Sequence, residues 1–189
     1  RDPRDRFHAL VTRDPQYRDK LGLATAGWLY SEAHARHNQQ KFPQQYKVVR
    51  YESMVLQPEA TMRDVCHFLN EEYTPALITL SDEPRFAQLA SDPCPLSATF
   101  IGRFRNGLSP EEIAFIQAHA QKRMDSYGYQ EEPITFTTGE KPRFYLSAWL
   151  PHKTQMIGWR VRHTLDVHFA ERAKDRLQLT EQMVGSVVC

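Results

Sequence analysis

A chain of 189 residues, 41% hydrophobic and 25% charged, can bury one core and stay soluble as a globular domain. Its formal net charge of +1 excludes a general nucleic-acid binder, which carries a strong basic excess. The three cysteines (Cys66, Cys94, Cys189) are far apart and have neither disulfide-framework nor zinc-ligand spacing, and no stretch is apolar enough to span a membrane. A reducing, cytoplasmic compartment is the expectation.

Residues 4–13 read as a helix. Asp2 can cap it, Pro3 suits its first position, and Phe7, Leu10 and Val11 follow at helical spacing. Pro15 disfavours helix at Asp14 and ends the element. After a polar loop to Gly22, residues 23–40 predict a long helix with Trp28, Leu29 and Ala33 on one side. Tyr46-Lys47-Val48-Val49-Arg50-Tyr51, short, β-branched and aromatic, is the best strand candidate. Residues 58–70 read as an amphipathic helix with an apolar stripe of Ala60, Met62, Val65, Phe68 and Leu69, and Cys66 in the core. A strand between two long helices predicts an α/β layered domain. Prolines between Thr74 and Ala98 predict short helices and loops. Ser109-Pro110-Glu111-Glu112 carries a capping-box start for a helix through Ile113, Phe115, Ile116, Ala120 and Met124, stopped by Gly128. Residues 130–189 form a C-terminal extension with a charged helix expected from His168 to Met183.

Three points could bind an anion. Arg1 with Arg4 stands at a helix start, where free N–H groups and the dipole favour phosphate or sulfate. Tyr51-Glu52 lies at the end of the strand candidate, and Gly102-Arg103-Phe104-Arg105 precedes the capped helix. Taken singly, Tyr51 is an ordinary half-buried residue and Arg103 and Arg105 belong to a solvated loop. His34 and His37 are three apart on a helix, but a solvated face is the better reading, and no H-x-x-x-H spacing exists.

Taken in order, Arg1-Asp2-Pro3-Arg4-Asp5-Arg6, the run from Val48 to Ala60, Ile101-Gly102-Arg103-Phe104-Arg105 and Leu108-Ser109-Pro110-Glu111-Glu112 resemble the C-terminal two-thirds of a bacterial-type sulfotransferase. The resemblance covers residues 1–129. It implies an α/β, P-loop-type three-layer fold with a parallel sheet flanked by helices. The donor would be 3′-phosphoadenosine 5′-phosphosulfate and the product adenosine 3′,5′-bisphosphate. Arg1 matches the arginine of the 3′-phosphate motif. Ala9 stands where the family has a phosphate-binding Ser, and Thr12, one turn on, is a candidate substitute. Tyr51 matches the tyrosine beside the adenine, with Ser53 where Asp is frequent. Gly102-Arg103 matches the segment that closes over the 3′-phosphate, with Phe104 where Trp is common.

The family's 5′-phosphosulfate loop and its catalytic base lie upstream of the arginine motif. The chain therefore reads as an N-terminally truncated enzyme, inactive alone, with no catalytic residue or metal ligand assigned. The resemblance implies a small-molecule, lipid or carbohydrate acceptor with a hydroxyl or amine, and no nucleic-acid partner. Self-association through residues 130–189 is a further expectation. The alternative is a non-catalytic relative that acts only as a nucleotide-binding or protein-interaction module.

Overall fold

The computed structural model describes residues 1–78, 98–136 and 149–164. Helix α1 (Pro3–Arg13) begins as its sequence requires. The Asp2 side chain accepts from the Arg4 N–H at 2.8 Å, and Pro3 fills the first turn without wasting a donor. Asp14 ends the helix in an extended conformation, as the residue before a proline should. The same Asp14 carboxylate then accepts from the Gln16 N–H at 3.0 Å and starts a 3₁₀ turn, Pro15–Lys20. That turn runs directly into α2 (Leu21–Lys41).

Helix α3 (Tyr51–Leu56) is followed at once by α4 (Pro58–Leu69), whose C-terminus Asn70 caps in the left-handed region at φ 56°. Short 3₁₀ turns occupy Pro75–Leu77 and Ala98–Phe100, and α5 (Phe104–Gly107) is a single turn. Helix α6 (Pro110–Ser126) carries the expected capping box. Glu112 Oε2 accepts from the Ser109 N–H at 2.7 Å, and Ser109 Oγ accepts from the Glu112 N–H at 3.3 Å. A last helix, α7, covers residues 149–164.

Helices α1, α2 and α6 pack on one another, and their buried faces make the core: Phe7 and Val11, Leu21, Ala26 and Leu29, then Phe115, Ile116, Ala120 and Met124. Helix α7 adds Met156 to that core and sets Trp149 and Trp159 against it. Its close approach to α2 is made at Gly22, where an added Cβ would collide with the His152 carbonyl oxygen. Gln155 of α7 also donates to the Asp19 carbonyl at 2.6 Å.

The architecture corrects the sequence reading. Among the described residues there is no strand and so no parallel sheet, and the α/β three-layer expectation gives way to helix packed on helix. The Tyr46–Arg50 stretch is extended, but extension becomes a strand only when backbone N–H and C=O groups find a lateral ladder. Here its neighbours are helices. Val48 and Val49 share a cavity with Trp28, Ser31 and Ala35 of α2, and Lys47 pairs with Asp64 of α4 at 2.7 Å. Tyr51, placed at the strand's end, is instead the first residue of α3.

Smaller differences follow the same logic. The loop before Gly22 is the 3₁₀ turn Pro15–Lys20, and Phe104 and Arg105 lie in α5 rather than a loop. Cys66 is buried, as expected, whereas Leu69 is exposed. The helix expected from His168 to Met183 lies outside the described residues.

Candidate functional site

The start of α1 is a buried polar knot. Arg4 is 2% exposed; its Nε and Nη2 donate to Asp2 Oδ1 and Oδ2 at 3.1 and 2.7 Å, and its Nη1 donates to Gln117 Oε1 at 2.7 Å. Its guanidinium also lies 4.2 Å from the centre of the Phe104 ring. Arg4, grouped with Arg1 as an anion ligand on sequence grounds, is thus committed to structure. Asp5 accepts from the Gly102 N–H at 2.7 Å and the Phe104 N–H at 3.1 Å, docking the 101–105 turn on α1.

Glu52 joins a third segment to this knot. Its Oε1 accepts from the Asp2 N–H and its Oε2 from the Tyr129 hydroxyl, both at 2.8 Å. Burial pushes the Glu52 carboxyl up, but these hydrogen bonds to its charged form outweigh it and hold the group below its usual range. The Tyr129 phenol is raised, by burial first and then by Glu52. Sequence reasoning assigned no role to Asp5, Glu52 or Tyr129. The signal available was that both carboxylates lie inside the recognised motifs.

On this frame Arg1 and Tyr51 meet. The Arg1 guanidinium lies 4.6 Å from the centre of the Tyr51 ring, and its Nη2 donates to the Phe100 carbonyl at 3.2 Å. The Arg1 carbonyl accepts from Trp28 Nε1 at 3.1 Å, which fixes the backbone there. Arg103 also reaches Phe100. Its guanidinium is 4.2 Å from the Phe100 ring centre, with Nε donating to the Thr99 carbonyl at 2.6 Å. Arg1, Tyr51 and Arg103 are therefore gathered around one turn.

Ala9 is not gathered with them by any hydrogen bond, and its methyl is exposed on α1. The Thr12 hydroxyl is turned onto its own helix, donating to the His8 carbonyl at 2.9 Å. His8 is held below its ordinary pKa by burial, with Arg103, Arg1 and Arg18 adding to the effect against Asp5. The charges of Arg103, Arg1 and Arg18 thus reach His8 and contribute positive potential beside the start of α1.

A cavity of about 180 Å³ opens beside Arg1, lined also by Trp28, Glu32, Arg50, Tyr127 and Tyr129. The Nε atoms of Arg1 and Arg50 are both buried without a hydrogen-bond partner. Tyr51, Arg103 and Ala9 do not line this cavity. Among the described residues no cluster of three or more His, Cys, Asp or Glu could hold a metal ion. His34 and His37 are both exposed, with His34 set against the Tyr30 ring at 4.0 Å. No helix among the described residues is long and apolar enough to cross a membrane.

Comparison with curated proteins and with solved structures gives no match. A family model does match, over residues 1–75, and its description is "Sulfotransferase family". That span contains the first two motifs, including Arg1 and Tyr51, and stops short of Gly102-Arg103. Through that segment, with the Arg1 guanidinium beside the Tyr51 ring at the head of a capped helix, the chain is similar to the sulfotransferase family.

Proposed function

We propose that this chain forms the 3′-phosphate and adenine side of a donor site for 3′-phosphoadenosine 5′-phosphosulfate. The activity it serves is sulfuryl transfer to a hydroxyl or amine on a small-molecule, lipid or carbohydrate acceptor. The observation that carries this reading is the meeting of Arg1, Tyr51 and Arg103, from three distant stretches of sequence, around Phe100.

The residues fit the anionic end of such a donor. Arg1 has a buried Nε with no hydrogen-bond partner, and the arginines whose charge reaches His8 would favour a phosphate dianion. A guanidinium fork can take two phosphate oxygens at once, which a lysine cannot. Tyr51, its ring beside the Arg1 guanidinium, is the aromatic neighbour for the adenine. The donor supplies the sulfuryl group. The residues of this chain bind and orient its nucleoside end, and none is assigned to proton transfer.

One observation favours a second reading, a nucleotide-binding or interaction module without catalysis. At Ala9 an exposed methyl stands where a hydroxyl would donate to the phosphate, and the Thr12 hydroxyl is committed to His8. A sulfuryl-transfer assay separates the two readings, since both allow nucleotide binding. The residue assignment is tested by titrating adenosine 3′,5′-bisphosphate calorimetrically into the wild type and into Arg103→Ala. Loss of one charge-assisted contact is expected to weaken binding about 10- to 100-fold. Unchanged affinity removes Arg103 from the site.

A further inference from the structure

Helix α7 presents two faces of opposite character. One is docked: Met156 is buried, Trp149 meets the Phe115 ring edge-on and the His119 ring at a tilt, and Trp159 and His163 meet the Tyr30 ring of α2 edge-on. The other carries Leu150, Ile157 and Val161, which are 57%, 54% and 56% exposed. At about 100° per residue, these three fall within about 40° of one another and opposite Trp159. They are therefore one stripe, facing away from the core.

The charges that α7 itself places beside that stripe have a single sign. Lys153 and Arg160 flank it on one side and Arg162 lies on the other, and all three are exposed. Residues 149–164 contain no Asp or Glu. This is a local concentration, because the whole chain carries a formal net charge of only +1. Aliphatic side chains flanked on their own helix only by cations are complementary to a surface that is apolar inside and negative at its edge.

We propose that α7 docks this protein on an anionic lipid surface. Leu150, Ile157 and Val161 enter the boundary between headgroups and acyl chains, and Lys153, Arg160 and Arg162 reach the lipid phosphates and carboxylates with their stems along the apolar layer. A second copy of the chain is the poorer occupant, since pairing the stripe with itself brings the two sets of cations together. The proposal goes beyond the donor-site reading and is independent of it.

The test is co-sedimentation of the full chain with vesicles of phosphatidylcholine alone or with about 30% phosphatidylserine. The expected result is binding to the anionic vesicles only, released as salt is raised to about 0.5 M. Ile157→Ser with Val161→Ser keeps every charge and is expected to weaken vesicle binding at least about tenfold, since each loses a buried aliphatic group at the interface. Circular dichroism and adenosine 3′,5′-bisphosphate titration should be the same in this variant as in the wild type. If that titration shows no binding in either protein, the donor-site reading fails while the docking result still stands. No binding to anionic vesicles overturns the proposal. Binding that survives the double substitution also overturns it, by showing that charge alone acts. A concentration-dependent dimer that the double substitution abolishes overturns it too, and gives the stripe to a second copy.

Discussion

Asp5 is 2% exposed, and its two oxygens take the N–H groups of Gly102 and Phe104. Replacing it by Ala leaves one buried and one half-buried donor without acceptors, so Asp5→Ala is expected to cost about 2–4 kcal/mol. The midpoint of urea unfolding measures this, and a loss under about 0.5 kcal/mol would show that water replaces the carboxylate. Gly102 sits at φ +76°, where an L side chain is strained, and an added Cβ would meet the Arg105 guanidinium. Gly102→Ala is therefore expected to cost about 1 kcal/mol or more and to disturb the turn that carries Arg103. At this scale the local roles were legible in the sequence. Asp2 as a cap, Pro3 at the first turn and the Ser109–Glu112 box each depend on neighbours within three residues. The roles of Asp5 and Glu52 were not legible, because their partners are distant in sequence: Gly102 and Phe104 for Asp5, Tyr129 for Glu52. Arg4 was misread for the same reason, since Gln117 and Phe104 lie far along the chain.

Among the elements, the helices with caps and a continuous apolar face were readable, and the Tyr46–Tyr51 segment was not. Its β-branched and aromatic residues describe what suits a paired, half-buried strand, and the pairing is supplied by the rest of the fold. With α2 on one side and Asp64 of α4 on the other, the segment stays extended and hands over to α3 at Tyr51. Helix α7 was missed although Trp149, His152, Met156, Trp159 and His163 recur at helical spacing. Pro151 and Gly158 interrupt the pattern in sequence, but Pro151 falls in the first turn, where its missing N–H costs nothing. The seam it forms has a pH dependence. Burial lowers the pKa of His119, with Lys153 and Arg160 adding to the effect. A depressed histidine stabilises the folded state above its unfolded pKa of 6.5, and that contribution is lost as pH falls below it. Fluorescence of Trp149 and Trp159 should therefore change on acidification below about pH 6.5. His119→Phe should reduce that response, and a response of the same size in the variant would place the titrating group elsewhere. At α6, Ser109→Ala removes the capping acceptor and is expected to lower stability by about 1 kcal/mol in thermal unfolding.

At the scale of the whole molecule, three carboxylates organise what would otherwise be separate motifs. Asp2 holds Arg4, Asp5 holds the 101–105 turn, and Glu52 ties α3 to both the start of α1 and Tyr129. The consequence is that Arg1, Tyr51 and Arg103 arrive at one turn although no pair of them is close in sequence. The order of motifs in the sequence pointed to this gathering, and the family match over residues 1–75 accounts for two of its members. The layered sheet that the same resemblance implied is not what positions them; helix packing around Phe7, Phe115 and Ile116 does.

The measurement that bears most directly on this account is calorimetric titration of the wild-type chain with adenosine 3′,5′-bisphosphate and, separately, with adenosine 5′-monophosphate. A site built on Arg1 and Arg103 for a 3′-phosphate predicts saturable binding of the bisphosphate, at least about tenfold tighter than that of the monophosphate. Equal affinity for the two nucleotides, or no saturable binding of either, would contradict it.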